Sequence, residues 1–222
     1  MAAPLEIDVY YSFRSPYCYL AIHRLADMQR KYHVQIHLRP VKPLLLRGPD
    51  WFRTTNPLHF PYVMNVDCPR IAAYLGIPYQ WPRPDPVINT LDADGVYVRA
   101  EHQPHIHRLT HFGILAQERG KGIEFAEAIS TLIWSVEDWD KGDHLTNAAK
   151  KLSLDLGEMD EIVRRESARF EAEVERNQAT LKDAGHWGVP TCVFHGEPFY
   201  GQDRLDILLW RMKQHGLRER GA

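Results

Sequence analysis

The chain has 222 residues, 44% of them hydrophobic and 25% charged, a balance that excludes a disordered or fibrous protein. This is length for one large domain, or a small one carrying an insertion, with a sizeable core. Lys and Arg number 27 against 29 Asp and Glu, a net charge of −2, which lacks the overall pull of a dedicated nucleic-acid binder.

No run of 18 apolar residues suggests a membrane span. The start, Met1 to Asp8, has neither a basic segment nor a long apolar stretch, so no secretory signal is expected. Three cysteines, Cys18, Cys68 and Cys192, without a C-x-x-C pair, point away from a disulfide scaffold and toward a reducing, cytoplasmic compartment.

Leu5, Ile7, Val9 and Tyr11 alternate with polar or tyrosine neighbours, the period of a strand. Ser15-Pro16 then opens a helix, the hydroxyl as cap and the ring where no N–H is needed. Tyr17, Leu20, Ala21, Leu25, Met28 and Tyr32 give that helix an apolar face. Val34, Ile36 and Leu38 alternate in a second strand that ends at Pro40. Residues 5–40 therefore read as strand, helix, strand, with a crossover long enough for parallel pairing.

Residues 41–58 are loop-like, and beyond them the chain is helical in period for over a hundred residues. Ile71, Tyr74 and Leu75 mark a helix ending near Gly76, and prolines at 78, 82, 84, 86 and 104 break the next stretch. Leu109, Phe112, Leu115 and Ala116 share one helical face, and Ala126, Ile129, Leu132, Ile133 and Val136 another. Met159, Ile162, Val163, Phe170, Val174 and Leu181 mark one long helix ending near Gly185, its charge-rich stretch from Glu158 to Arg176 a solvated face. Residues 191–200 read as a β-hairpin. Gly201-Gln202-Asp203 opens a last helix with Leu205, Leu208, Leu209 and Met212 on one face. The order predicts an α/β fold, a four-stranded sheet unit with a helical insertion.

Three segments are candidates for chemistry. Ser15 sits at a strand-to-helix junction, where it either simply caps the helix or, with the helix end, holds an anion or thiolate. Pro190 in Gly188-Val189-Pro190-Thr191 either starts a strand or follows a cis bond, leaving Val189 backbone groups to pair with an extended ligand. Gly201-Gln202-Asp203-Arg204 either caps or offers N–H groups to a carboxylate and Asp203 to an ammonium. His107 and His111 have the spacing of zinc ligands, but no Glu stands between them as in metalloproteases and no cysteine is near. A polar helix face or pocket lining is favoured over a metal.

Taken together, Ser-Pro-Tyr after the first strand, Gly-Val-Pro-Thr before the third and Gly-Gln-Asp-Arg-Leu before the last helix resemble the 2-hydroxychromene-2-carboxylate isomerases. These are relatives of kappa-class glutathione transferases and DsbA-type thioredoxin folds. The resemblance runs along nearly the whole chain, including Arg70 to Pro78. It implies a thioredoxin-like unit from residues 1–40 and 187–222 and an all-helical insertion over 41–186. It implies glutathione as cofactor: Ser15 would donate to its sulfur, Val189, before a cis Pro190, would pair with its cysteinyl backbone, and Gln202 and Asp203, in the Gly201–Arg204 segment, would hold its γ-glutamyl end.

The activity implied is cis/trans isomerisation of an aromatic catabolite. The thiolate adds to a carbon–carbon double bond, the resulting single bond rotates, and elimination returns the thiolate. Arg108, His107 and Asn56 are candidates for the group that holds the substrate carboxylate, and relatives suggest a homodimer. Two departures stand out. Asn65 occupies the place of a lysine common in the family, and Cys18 makes the motif Ser-x-x-Cys, which cannot form the internal disulfide of a dithiol oxidant. A kappa-like glutathione transferase or peroxidase is the alternative with the same sulfur site. A non-catalytic thioredoxin-like peptide-binding module is the alternative without one.

Overall fold

In this computed structural model, residues 3–47, 56–95 and 97–221 are described. Strand β1 (Leu5–Tyr11) leads through helix α1 (Pro16–Lys31) to β2 (Val34–Pro40), and the two strands pair in parallel from Leu5 opposite Val34 to Tyr11 opposite Pro40. The chain returns to this sheet at β5 (Thr191–Phe194) and β6 (Glu197–Tyr200). Strand β5 runs antiparallel to β1, and the sheet order is β2-β1-β5-β6. Central β1 is covered on both faces, so Tyr10 is buried along with Ile7, Val9 and Tyr11. A short 3₁₀ turn (Gln202–Arg204) leads into the last helix, Leu205–Gln214.

Between β2 and β5 lies the insertion. Its first helix, α2, is Leu44–Arg47. Next come α3 (His59–Tyr62), a π-helical turn (Val63–Asp67) and α4 (Cys68–Leu75), which form a continuous run. That run ends at Gly76, whose φ of 67° is the left-handed stop glycine tolerates. The insertion is not wholly helical: β3 (Asn89–Leu91) and β4 (Tyr97–Arg99) form a hairpin. Thr90 and Leu91 face solvent, so no apolar alternation announces it.

Helices α5 (Pro104–Glu118), α6 (Gly122–Ser135) and α7 (His144–Lys150) follow. The single long helix expected over 159–181 is two, α8 (Leu156–Arg165) and α9 (Ser167–Asp183), broken at Glu166. Met159 and Phe170 are eleven residues apart, about three helical turns, so the apolar period carries across the break without marking it. Glu166 sits at the seam with its carboxylate taken by Arg165 and Arg169.

The main hydrophobic core runs from Ile7 of the sheet through Trp134 of the insertion to Met212, and a smaller cluster gathers Tyr10, Val41 and Leu181. Trp134 is fully buried and stacks on Tyr19 of α1, ring centres 5.8 Å apart and planes at 8°. Its Nε1 donates to the Phe13 carbonyl at 3.1 Å, and Tyr11 and Ser130 share a hydroxyl hydrogen bond of 2.6 Å. The insertion thus braces the loop that precedes α1. All three cysteines are buried free thiols.

Candidate active site at the start of the first helix

Ser15 is the N-cap of α1 with extended backbone (φ −85°, ψ 120°), and its Oγ accepts the Cys18 N–H at 3.3 Å. Pro16 follows at the first helical position, where its missing N–H costs nothing. The Ser15 hydroxyl proton meets no oxygen or nitrogen acceptor among the described residues and turns only to the weakly accepting Cys18 sulfur. The Tyr17 N–H, in the first turn, has no carbonyl four residues back within the helix. With no acid in this turn, the positive end of a 16-residue helix is uncompensated.

Cys18, one turn on, is fully buried, and its sulfur takes the Ser12 N–H at 3.4 Å. Burial, outweighing that hydrogen bond and the one to Ser15, pushes its thiol up to about 12. It therefore stays protonated at neutral pH and is no nucleophile.

Ser15 and Val189 open onto the same cavity, of about 230 Å³. Its walls include Pro43, Leu44, Leu45, Phe60, Val63, Trp81 and Tyr200, with Arg14 and Arg47 as the charged groups and no carboxylate among the described lining residues. The Val189–Pro190 bond is cis, and the Val189 backbone N–H and C=O make no hydrogen bond among the described residues. The Pro190 carbonyl accepts the Gly201 N–H at 2.9 Å, which ties the start of the last helix to this loop. Glycine is required at 188, because a Cβ there would lie 2.5 Å from the Tyr200 ring.

Gly201, at φ 106°, has the Asp203 carboxylate folded over it: a Cβ at 201 would meet Asp203 Oδ1 at 2.4 Å. The Gln202 carbonyl accepts from Arg24 at 3.0 Å, and Asp203 pairs with Arg204 at 3.1 Å, both half-exposed. These residues follow Tyr200 directly in the chain but do not line the cavity itself.

The residues proposed from sequence to hold a substrate carboxylate lie elsewhere. Arg108 grips Asp160 with two bonds of 2.8 and 2.7 Å and lies over the Phe112 ring. His107 and His111, one turn apart on α5, both face Glu171, at 3.5 and 3.0 Å. Asn56 is exposed, and its Oδ1 accepts the Leu58 N–H at 2.9 Å. Asn65 is exposed in the π-helical turn. None of them lines the cavity.

The cations that do line it, Arg14 and Arg47, had no motif to mark them. Arg47 Nη1 donates to the Trp187 carbonyl, while its Nε and Nη2 are buried without a hydrogen-bond partner among the described residues. Burial lowers its pKa from the usual value. The one sequence signal for Arg14 was its place beside Ser15.

Residues 6–213 match the family model of the DSBA-like thioredoxin domain. The chain is 27% identical over 206 residues to a 2-hydroxychromene-2-carboxylate isomerase of Sphingobium xenophagum, covering 91% of this chain and 95% of that one. A solved 2-hydroxychromene-2-carboxylate isomerase superposes with a TM-score of 0.68 at 19% identity, over 95% of each chain. The cytosolic disulfide reductase DsbM of Pseudomonas aeruginosa, solved with glutathione, superposes at 0.61 and 16% identity, over 95% of this chain and all of that one. These last two likenesses concern the fold. With its sheet order, helical insertion and near-complete match, the chain belongs to the DsbA-like thioredoxin domain family.

Proposed function

We propose that the protein is a glutathione-dependent isomerase of aromatic 2-keto acids, like the 2-hydroxychromene-2-carboxylate isomerase it resembles. One observation carries the reading. The Ser15 hydroxyl and the unpaired backbone of Val189 open onto a single cavity with aromatic walls, two arginines and no acid among the described lining residues. A hydroxyl engaged only by a weak sulfur acceptor, an uncompensated helix start and a spare peptide edge suit a small peptide thiol. The full-length kinship with the Sphingobium enzyme supports the choice of reaction.

Ser15 donates a hydrogen bond to the sulfur, and the helix start favours the anionic form, lowering the thiol pKa. Val189 pairs with the cysteinyl backbone as an added strand would. Asp203 takes the γ-glutamyl ammonium, with Gly201, Gln202 and Arg204 beside it. Phe60 and Trp81 flank the substrate ring and exclude water, and the positive charge of Arg47 attracts the carboxylate. When bound, glutathione supplies the nucleophile whose reversible addition turns the substrate's double bond into a rotatable single bond. Three free, buried thiols suit a reducing cytoplasm.

Calorimetric titration with glutathione, followed by ultraviolet difference spectra, tests this. Wild type binds with a thiolate signal near neutral pH, and Ser15→Ala binds without it. A wild type that binds glutathione only as the thiol overturns the mechanism.

A further inference from the structure

Arg14 stands one residue before Ser15 and is only 8% exposed. A guanidinium so covered needs partners. Its Nε and Nη2 donate to the two carboxylate oxygens of Asp85 at 3.2 and 3.0 Å. Its central carbon lies 5.1 and 5.0 Å from the ring centres of Phe60 and Trp81. Asp85 is itself held, accepting the Val87 N–H at 2.9 Å. A planar group fixed along one edge and against two rings cannot swing. The third nitrogen, Nη1, makes no hydrogen bond among the described residues and is not among the sealed, unpartnered atoms. Arg14 lines the cavity together with Ser15.

The two cavity arginines differ in kind. Arg47 pairs with no acid among the described residues, and a positive charge that none of them offsets suits a permanent anion. The charge of Arg14 is largely offset by Asp85, which leaves an oriented pair of N–H donors suited to a neutral oxygen. Resting on the keto-acid reading above, we propose that Arg14 is a specificity-determining residue whose Nη1 donates to the keto oxygen of the second substrate, while the positive charge of Arg47 attracts the carboxylate. The cavity then prefers aryl 2-keto acids over aryl acids of the same skeleton without the keto oxygen, because such a ligand leaves a fixed donor unpaired.

The experiment is calorimetric binding of trans-benzylidenepyruvate and of trans-styrylacetate, its skeleton without the keto oxygen, to the full chain with no glutathione present. Wild type binds the keto acid at least about tenfold more tightly, the worth of one hydrogen bond from a charged group. Arg14→Leu abolishes that preference and leaves styrylacetate affinity within about twofold, whereas Arg47→Leu weakens both ligands. The double variant Arg14→Leu, Asp85→Leu removes the orphaned carboxylate and shows the same selective loss, so a folding defect is not mistaken for it. No binding by wild type, no keto preference, equal weakening of both ligands by Arg14→Leu, or a preference restored in the double variant overturns the proposal. A wild type that prefers the keto acid but binds no glutathione sinks the thiol chemistry alone and leaves the Arg14 assignment standing.

Discussion

Two polar regions of this protein invite comparison: the start of α1 and the polar face of α5. Both carry residue types that chemistry uses. On α5, each polar group of interest has met a counterpart, Arg108 with Asp160 and His107 and His111 with Glu171. At the start of α1, the Ser15 proton meets only a sulfur, and the Val189 backbone and Arg14 Nη1 lack partners among the described residues. Satisfied polar groups hold a fold together, and unsatisfied ones facing a cavity are what a ligand can complete. A suggestive residue type is thus a weaker guide than the state of its hydrogen bonds.

The α1 region has an identifiable support. Trp134 packs on Tyr19 and bonds the Phe13 carbonyl, so it braces the loop carrying Ser15. Trp134→Ala is expected to lower stability by about 3–5 kcal/mol, read from denaturant midpoints. Ser15→Ala breaks the comparison from the other side. It removes one donor to the developing charge and is expected to cut glutathione-dependent turnover by roughly 10²–10³-fold, while the lost helix cap costs only about 1 kcal/mol of stability. Unchanged turnover would remove the α1 start from the chemistry. Gly188→Ala forces Tyr200 aside and is expected to cost about 1–3 kcal/mol with weaker glutathione binding, measured by thermal shift and calorimetry.

Smaller effects separate structural from functional charge. Burial alone would raise the Glu127 carboxyl, but hydrogen bonds from His23 and Arg30 outweigh it and hold its pKa down at about 2. A depressed carboxyl contributes stability above its unfolded value of 4.5 and loses it as pH falls toward the folded value. Glu127→Gln should therefore flatten stability between about pH 4.5 and 2, followed by chemical denaturation. For His111, burial outweighs the pull of Glu171 and lowers the pKa below 6.5, so its contribution is intact above that value and falls away on acidification beneath it. Arg108→Ala is expected to cost only about 0.5–1 kcal/mol, since its pair is partly exposed, and to leave turnover within about threefold. A large loss of turnover would return α5 to the site.

Much of the fold was legible in the sequence because burial imposes period. The alternation of Ile7, Val9 and Tyr11 and the three-and-four spacing after Pro16 became β1 and α1. Gly76 ended its helix as expected, through its positive φ. The seam at Glu166 stayed hidden because eleven residues preserve helical phase across it. The hairpin of β3 and β4 stayed hidden because Thr90 and Leu91 face water and show no alternation. Within the site, Ser15 was legible from its cap position and Val189 from the proline after it, since both are local backbone signatures. Arg14 and Arg47 were not, because an arginine's role depends on which acid, carbonyl or ring it meets. Asp85, Trp81 and Trp187 come from distant parts of the chain.

The sequence by itself determined the four strands of the main sheet, the capped first helix, the split of that sheet by an insertion and the motifs that announce the family. These arise from nearest-neighbour rules of period, cap and turn, which need only a few consecutive residues. Tertiary structure alone decided which polar groups would find partners and which would be left facing the cavity. Arg108 and Arg47 carry the same side chain, and folding gave one the Asp160 carboxylate and the other a single carbonyl beside an aromatic wall. Hydrogen bonding is short-ranged and directional, so that assignment belongs to distances the linear chain does not contain.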